Sequence, residues 1–378
     1  MEADRAGFTG LPKISKKLMV SVPNMLNTIF SKRKTQLFLN FIIVLSCLYF
    51  CGWPSSVASR RRHQKIQRMI ECNPYEMNGY SHNLSWIPSN RACPPSPDIF
   101  ARLVQKRDVT WLRNRTVVFV GDSQDRNAIM NNCKTLGWQL YRGSYYHAKN
   151  QRLESCSHLE LGCPWICTSN ALNFTFLNFF HPGLETDTTF MIKELNIGRH
   201  FGADEPLIFE DRVEKMLVPM MNAMGRVPDM IVTTSAAWDL VNWGFHVKKN
   251  LYRTLLTRNR MDRYHHALAT RLFPTLVHYF PRAKIVFRTL PECSVGETRE
   301  DPDGHGLRPI HINAIRAMAI EAIHDYNHET RSNIQLLDWY KLIQGQRRYY
   351  IDDRHPGPDG NKIYMNAWLF FLKQSISN

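Results

Sequence analysis

The sequence predicts an α/β domain built on a five-stranded parallel sheet with helices on both faces, and three observations carry that expectation. Five short apolar runs, at 116–120, 173–179, 230–234, 284–289 and 334–338, are rich in Val, Ile, Leu and Phe, the composition of strands buried on both sides. Helical stretches stand between them at 211–224, 252–280 and 310–327, the last with Ile315, Met318, Ala319 and Ile323 on a helical spacing. Strand alternating with helix is how a chain builds parallel neighbours through crossover connections. Finally, with 378 residues, 44% of them hydrophobic and 11% aromatic, the chain can bury one large core and still carry appendages. That composition excludes a disordered protein. A closing helix at 362–375 is expected to pack beside the first strand.

Residues 1–35 hold Pro12, Pro23 and scattered lysines without a sustained pattern, and read as a cytosolic tail. The next segment, 36–53, contains LFLNFIIVLSCLYFCGW inside a charge-free run from 35 to 59. Its seventeen apolar-rich residues at about 1.5 Å each span roughly 25 Å, near the lower limit for crossing a bilayer. Lys32-Arg33-Lys34 and Arg60-Arg61-Arg62 bracket it, and Tyr49 and Trp53 suit the interface. We read it as an uncleaved transmembrane signal anchor. The alternative is a signal sequence cleaved near Val57-Ala58-Ser59, for which the charged lead is long. The net charge of +15 is explained by the same flanks: residues 1–70 contain twelve Lys and Arg against Glu2 and Asp4. Nucleic acid is therefore not an expected partner.

Both flanks of the anchor are positive, so charge does not orient it. Three sequons, at Asn83, Asn114 and Asn173, all follow the anchor and suggest that this side is luminal, which makes a single-pass type II protein of the Golgi or endoplasmic reticulum. Residues 54–108 then read as a luminal stem, its prolines at 74, 88, 94, 95 and 97 refusing long helices. Seven cysteines follow the anchor, an odd number for a compartment that forms disulfides. Cys72 with Cys93, bracketing a loop of the stem, is the expected pair. Cys156, Cys163 and Cys167 lack the repeated spacing of a zinc site and are expected in disulfides. The remaining 109–378 are expected to form the main folded domain.

Within that domain the first strand runs into Gly121-Asp122-Ser123 and then a helical segment. A serine at such a corner projects from the carboxyl edge of the sheet, where ligands bind in open α/β folds. The helix's unpaired N–H groups are available to an oxyanion. Ser123 is the candidate nucleophile, with a helix cap as the structural alternative. Near the other end, Asp352-Asp353-Arg354-His355 offers a base and a carboxylate that can orient it. Asp352, three residues before His355, is preferred to Asp353. Other histidines, including His265, His266 and His311, fall in helical stretches without an adjacent carboxylate turn and read as packed or solvated.

The strand-GDS opening and the late D-x-x-H resemble the SGNH (GDSL-type) hydrolase superfamily. GDSQDRN at 121–127 is similar to the opening motif of the PC-esterase and trichome-birefringence-like group, membrane-anchored O-acetyltransferases and esterases of polysaccharides. The resemblance implies a three-layer, flavodoxin-like fold and a Ser123-His355-Asp352 triad working through an acyl-serine. It also implies backbone donors to the oxyanion at Ser123 and Ala236. Where the superfamily often carries an Asn donor, this chain has Trp238. Arg126 and Asn127 match the group's motif and are candidates for bracing the site or meeting substrate. Trp238 and Asp239 are candidates for the acceptor site, and Arg288, at a strand end, for an anionic sugar. The partners implied are a glycan acceptor and an acyl donor. No metal or other cofactor is expected. Transferase and hydrolase share the acyl-enzyme and stay open, as does a catalytically silent glycan-binding or scaffolding protein.

Overall fold

A computed structural model describes residues 72–147, 152–154, 163–186, 205–246, 255–292, 307–352 and 354–377. The expected tail at 1–35, the expected span at 36–53, the first part of the stem, Asp353, Cys156 and Cys293 lie outside the described residues. Among the described residues no helix is long and apolar enough to cross a membrane.

The described chain opens with a hairpin, β1 (Gly79–His82) and β2 (Ser85–Pro88), and a short helix α1 (Ile99–Val104). Then come β3 (Thr116–Gly121), α2 (Ser123–Leu136), β4 (Gln139–Arg142), a small hairpin of β5 (Tyr145–His147) and β6 (Arg152–Glu154), β7 (Trp165–Ser169) and β8 (Phe174–Phe180). The helical run α3 starts at Phe209–Arg212 and passes through a π turn, Val213–Leu217, into Val218–Ala223. β9 (Met230–Thr233) and α4 (Ala237–His246) follow. The run α5 has the same build, Arg258–Ala267, a π turn at Leu268–Leu272, then Phe273–Tyr279. β10 (Lys284–Arg288), α6 (Pro309–Thr330), β11 (Gln335–Leu337), α7 (Trp339–Ile343) and α8 (Pro358–Ser377) complete the order. Each π turn contains the residue four before a proline, Lys215 before Pro219 and Thr270 before Pro274. Proline brings no N–H to that carbonyl, and the wider turn accommodates the missing bond.

Among the described residues the central sheet has seven strands in the order β11-β10-β9-β3-β8-β7-β4, which corrects the expected five. The five expected runs are the parallel strands: β3 pairs with β8 (Thr116↔Thr175) and β9 (Val117↔Met230), and β10 lies between β9 and β11. The two additions, β7 and β4, extend the sheet antiparallel beyond β8. β4 gives no strand signal in the sequence because, at the edge, it is largely exposed and carries no apolar run. Central β3, β8 and β9 are buried at every position, and alternate residues supply two cores. Val118 and Val120 face α3, α5 and α6, while Val117 and Phe119 face α1, α2, α7 and α8. This is a three-layer α/β sandwich. The ring of Phe119 meets Trp368 of the closing helix at 5.4 Å between centroids.

Residues 72–108 belong to the same compact unit as the sheet. Cys72 and Cys93 are disulfide-bonded, as are Cys133 of α2 and Cys167 of β7. Tyr75 packs on Phe370 and Phe371, the Phe100 N–H donates to Asn366 Oδ1 at 2.7 Å, and Ser81 Oγ donates to the Leu342 carbonyl at 2.6 Å. Proline density prevents long helices here but not the burial of aromatic side chains.

Candidate active site

The corner after β3 is tightly specified. Asp122 is extended (φ −117°, ψ −164°) and caps α2, its Oδ1 accepting the Gln124 N–H at 2.8 Å while Asp125 Oδ2 accepts the Asp122 N–H at 3.2 Å. This reciprocal cap satisfies donors of the first turn. Gly121 is required by close approach, since a Cβ there would lie 1.9 Å from Asp125 Oδ2.

Two buried carboxylates need a cation, and Arg288 supplies it. Its Nη2 donates to Asp125 Oδ2 at 2.8 Å and Asp122 Oδ1 at 3.3 Å, and its Nη1 to Gln124 Oε1 at 3.0 Å. Tyr364 of α8 donates to the other Asp125 oxygen at 2.7 Å. Burial lowers the affinity of Arg288 for its proton, but Asp125 and Asp122 more than offset this and hold it above its usual value. Arg288 is 1% exposed. It therefore braces the corner from beneath and does not meet an anionic sugar, which corrects its assignment to substrate.

The loop between α7 and α8 brings the candidate base. It closes on itself through Ile351 N–H to His355 O at 3.0 Å and Gly357 N–H to Tyr349 O at 2.6 Å. Asp352 Oδ1 accepts the N–H groups of Arg354 and His355, both at 2.7 Å, and Oδ2 lies 2.9 Å from His355 Nδ1. His355 Nε2 in turn lies 2.9 Å from Ser123 Oγ, so residues 232 positions apart meet. Partial burial pushes the Asp352 carboxyl up, but the Arg354 N–H, the His355 ring and the His355 N–H together hold it below its ordinary value. One side chain links loop to corner directly: Gln124 Nε2 donates to the Arg354 carbonyl at 3.0 Å. Behind it, Asn132 of α2 donates to the Asn361 carbonyl at 3.0 Å, and Asn361 to the Pro356 carbonyl at 3.2 Å.

The third wall is the end of β9. Val120 and Thr233 are register partners, so Ser123 and Ala236 stand equally far past the ends of adjacent parallel strands, on the same edge. Ala236 is buried immediately before α4. Beside it, Ser235 Oγ donates to Asp239, and Tyr264 Oη to the Ser235 carbonyl. Asp239 is buried and also accepts the Leu184 N–H at 2.7 Å, and burial pushes its carboxyl up to about 6. It fastens the corner rather than lining the acceptor site, a correction to the sequence reading. Trp238 is half-buried, its ring edge-on to Phe180 at 5.7 Å. Arg126 and Asn127 are half-buried in α2, one turn beyond Ser123.

His181, at the end of β8, is a residue that sequence reasoning missed. Its Nε2–H donates to the Thr234 carbonyl at 2.5 Å, its Nδ1 accepts the Gly183 N–H at 3.2 Å, and its backbone N–H donates to Gly121 O at 3.0 Å. Burial lowers its pKa to about 4, so it is a neutral strut between the Ser123 and Ala236 corners. His181 and Tyr364 have no motif of their own. Only Gln124, inside GDSQDRN, had a local signal.

No family model and no curated protein matches the chain. Several solved structures resemble it in outline. They include a GDSL-like lipase from Parabacteroides merdae (14% identity, 69% of this chain and 96% of that one, TM-score 0.37). A peptidoglycan O-acetylesterase aligns at 10% identity over 73% and 96%, TM-score 0.37. An acetyl xylan esterase from Geobacillus stearothermophilus aligns at 13% over 69% and 95%, TM-score 0.25.

Proposed function

We propose that the chain is an SGNH-type serine acyl esterase or acyltransferase acting on glycan hydroxyls, with acetyl as the acyl group. The relay Ser123 Oγ to His355 Nε2 to Asp352, 2.9 Å at each step, carries the reading. In it, Ser123 Oγ attacks the acyl carbonyl as His355 Nε2 takes the hydroxyl proton. The Ser123 and Ala236 amides stabilise the oxyanion, Asp352 holds the imidazolium, and His355 returns the proton to the departing alkoxide. The acyl-serine is released by the same steps in reverse, with water or a sugar hydroxyl giving its proton to His355. The two disulfides among the described residues support an oxidising compartment, in keeping with a luminal domain of the Golgi or endoplasmic reticulum held by a transmembrane anchor at 36–53.

The test is to incubate the full chain with acetylated oligosaccharides, and separately with an acetyl donor and unmodified ones, following acetyl mass by mass spectrometry. Loss of acetyl mass identifies an esterase and gain a transferase, and either must vanish in Ser123→Ala. A second reading, a silent glycan-binding protein, is favoured by one observation: Trp238 stands where the superfamily often has an Asn donor. It predicts oligosaccharide binding without any change in acetyl mass.

A further inference from the structure

His265 of α5 faces Glu321 and Asp325 of α6, with one donor atom from each within 4.8 Å of the others. Glu321 and Asp325 are four residues apart, so they share a helix face, where like charges at this spacing repel. Set beside a neutral imidazole, the pair makes a donor set of charge −2 with one nitrogen and two carboxylates. That mixture suits a borderline cation better than a hard one. The geometry agrees. His265 Nε2 lies 3.2 Å from Asp325 Oδ2, and ligands about 2.0–2.1 Å from a tetrahedral zinc stand roughly 3.3–3.4 Å apart. A cation can replace the shared hydrogen with little movement, the ring proton shifting to Nδ1. The second Asp325 oxygen lies 3.1 Å from His324 Nδ1, the kind of outer hydrogen bond that orients a metal-bound carboxylate. Glu321 is exposed, and one of its carboxylate oxygens lies within 4.8 Å of the other two donor atoms.

We propose that His265, Glu321 and Asp325 bind one divalent cation of the Zn²⁺ class, with a fourth position left to water, and so pin α5 to α6. The site lies outside the Ser-His-Asp relay and has a structural role. Tyr264, the neighbour of His265, holds the Ser235 carbonyl beside Ala236 through its hydroxyl.

The experiment strips the full chain with EDTA, removes the chelator, and titrates Zn²⁺ against a chromogenic competitor, with thermal melts in parallel. One tightly bound equivalent is expected, with a rise in Tm on saturation, and no such effect from Ca²⁺. Glu321→Gln, which alters only an exposed side chain, should weaken that equivalent by at least about tenfold, and His265→Ala should abolish it. Absence of Zn²⁺ binding would overturn the proposal. So would binding whose affinity and stoichiometry are unchanged in Glu321→Gln and His265→Ala, since the metal would then sit elsewhere.

Discussion

The two halves of the candidate site are built by opposite means. The Ser123 corner is locked by buried charge: Asp122, Asp125, Arg288 and Tyr364 form one network under the helix start. The His355 loop is half-exposed and shaped by short-range bonds, with Asp352 accepting two neighbouring N–H groups and the ring. The difference teaches where stability and chemistry part. Damage to the corner removes the counter-charge of a core, whereas damage to the loop removes only the orientation of one ring.

The sharpest break is removal of the reacting groups. Ser123→Ala or His355→Ala should lower kcat for ester turnover by up to about 10⁶-fold, with Tm within error of wild type. Asp352→Asn should cost about 10⁴-fold in kcat with only a small fall in Tm, because an amide oxygen can still accept the two N–H groups while the carboxylate that orients His355 is withdrawn. Arg288→Met should do the reverse. It strands two buried carboxylates and should destabilise the fold by about 3–5 kcal/mol in denaturant titrations. If it merely weakened binding of an anionic substrate at unchanged stability, the contrast between corner and loop would fail.

The strut beneath both corners gives a pH signature. His181 has a pKa near 4 in the fold against an ordinary 6.5, so the folded state binds fewer protons. Its contribution is complete above 6.5 and is lost as pH falls toward 4, a change of about 3 kcal/mol. Asp239, pushed up to about 6, works in the opposite sense, its contribution being lost as pH rises through that value. The stability difference between wild type and His181→Gln, followed from pH 7 to 4, isolates the histidine and should shrink by that amount. The smallest effect belongs to the link between the halves: Gln124→Ala removes one hydrogen bond to the Arg354 carbonyl and one from Arg288, at about 1–3 kcal/mol. It should lower kcat more than it raises KM.

How much of this could be read from the chain follows the range of each interaction. The five parallel strands announce themselves because strands buried on both faces must be apolar throughout, as VVFV in β3 is. β4 is exposed at the edge and gives no such signal. Ser123, Asp352 and His355 are named by local motifs, and the structure brings them within hydrogen-bond distance. Gln124, His181 and Tyr364 act through partners 230, 53 and 239 positions away, which no local pattern records. Arg288 was misassigned because a charged residue at a strand's carboxyl end lies at the functional edge. In the fold two carboxylates from the Ser123 corner cover it.

The central claim is that Ser123 is a nucleophile activated by His355. A fluorophosphonate probe, followed by peptide mass mapping, tests it most directly. A single adduct on Ser123 that forms in the wild type and not in His355→Ala is the predicted result. Folded wild-type protein that takes up no label, or takes it on another serine, would contradict it.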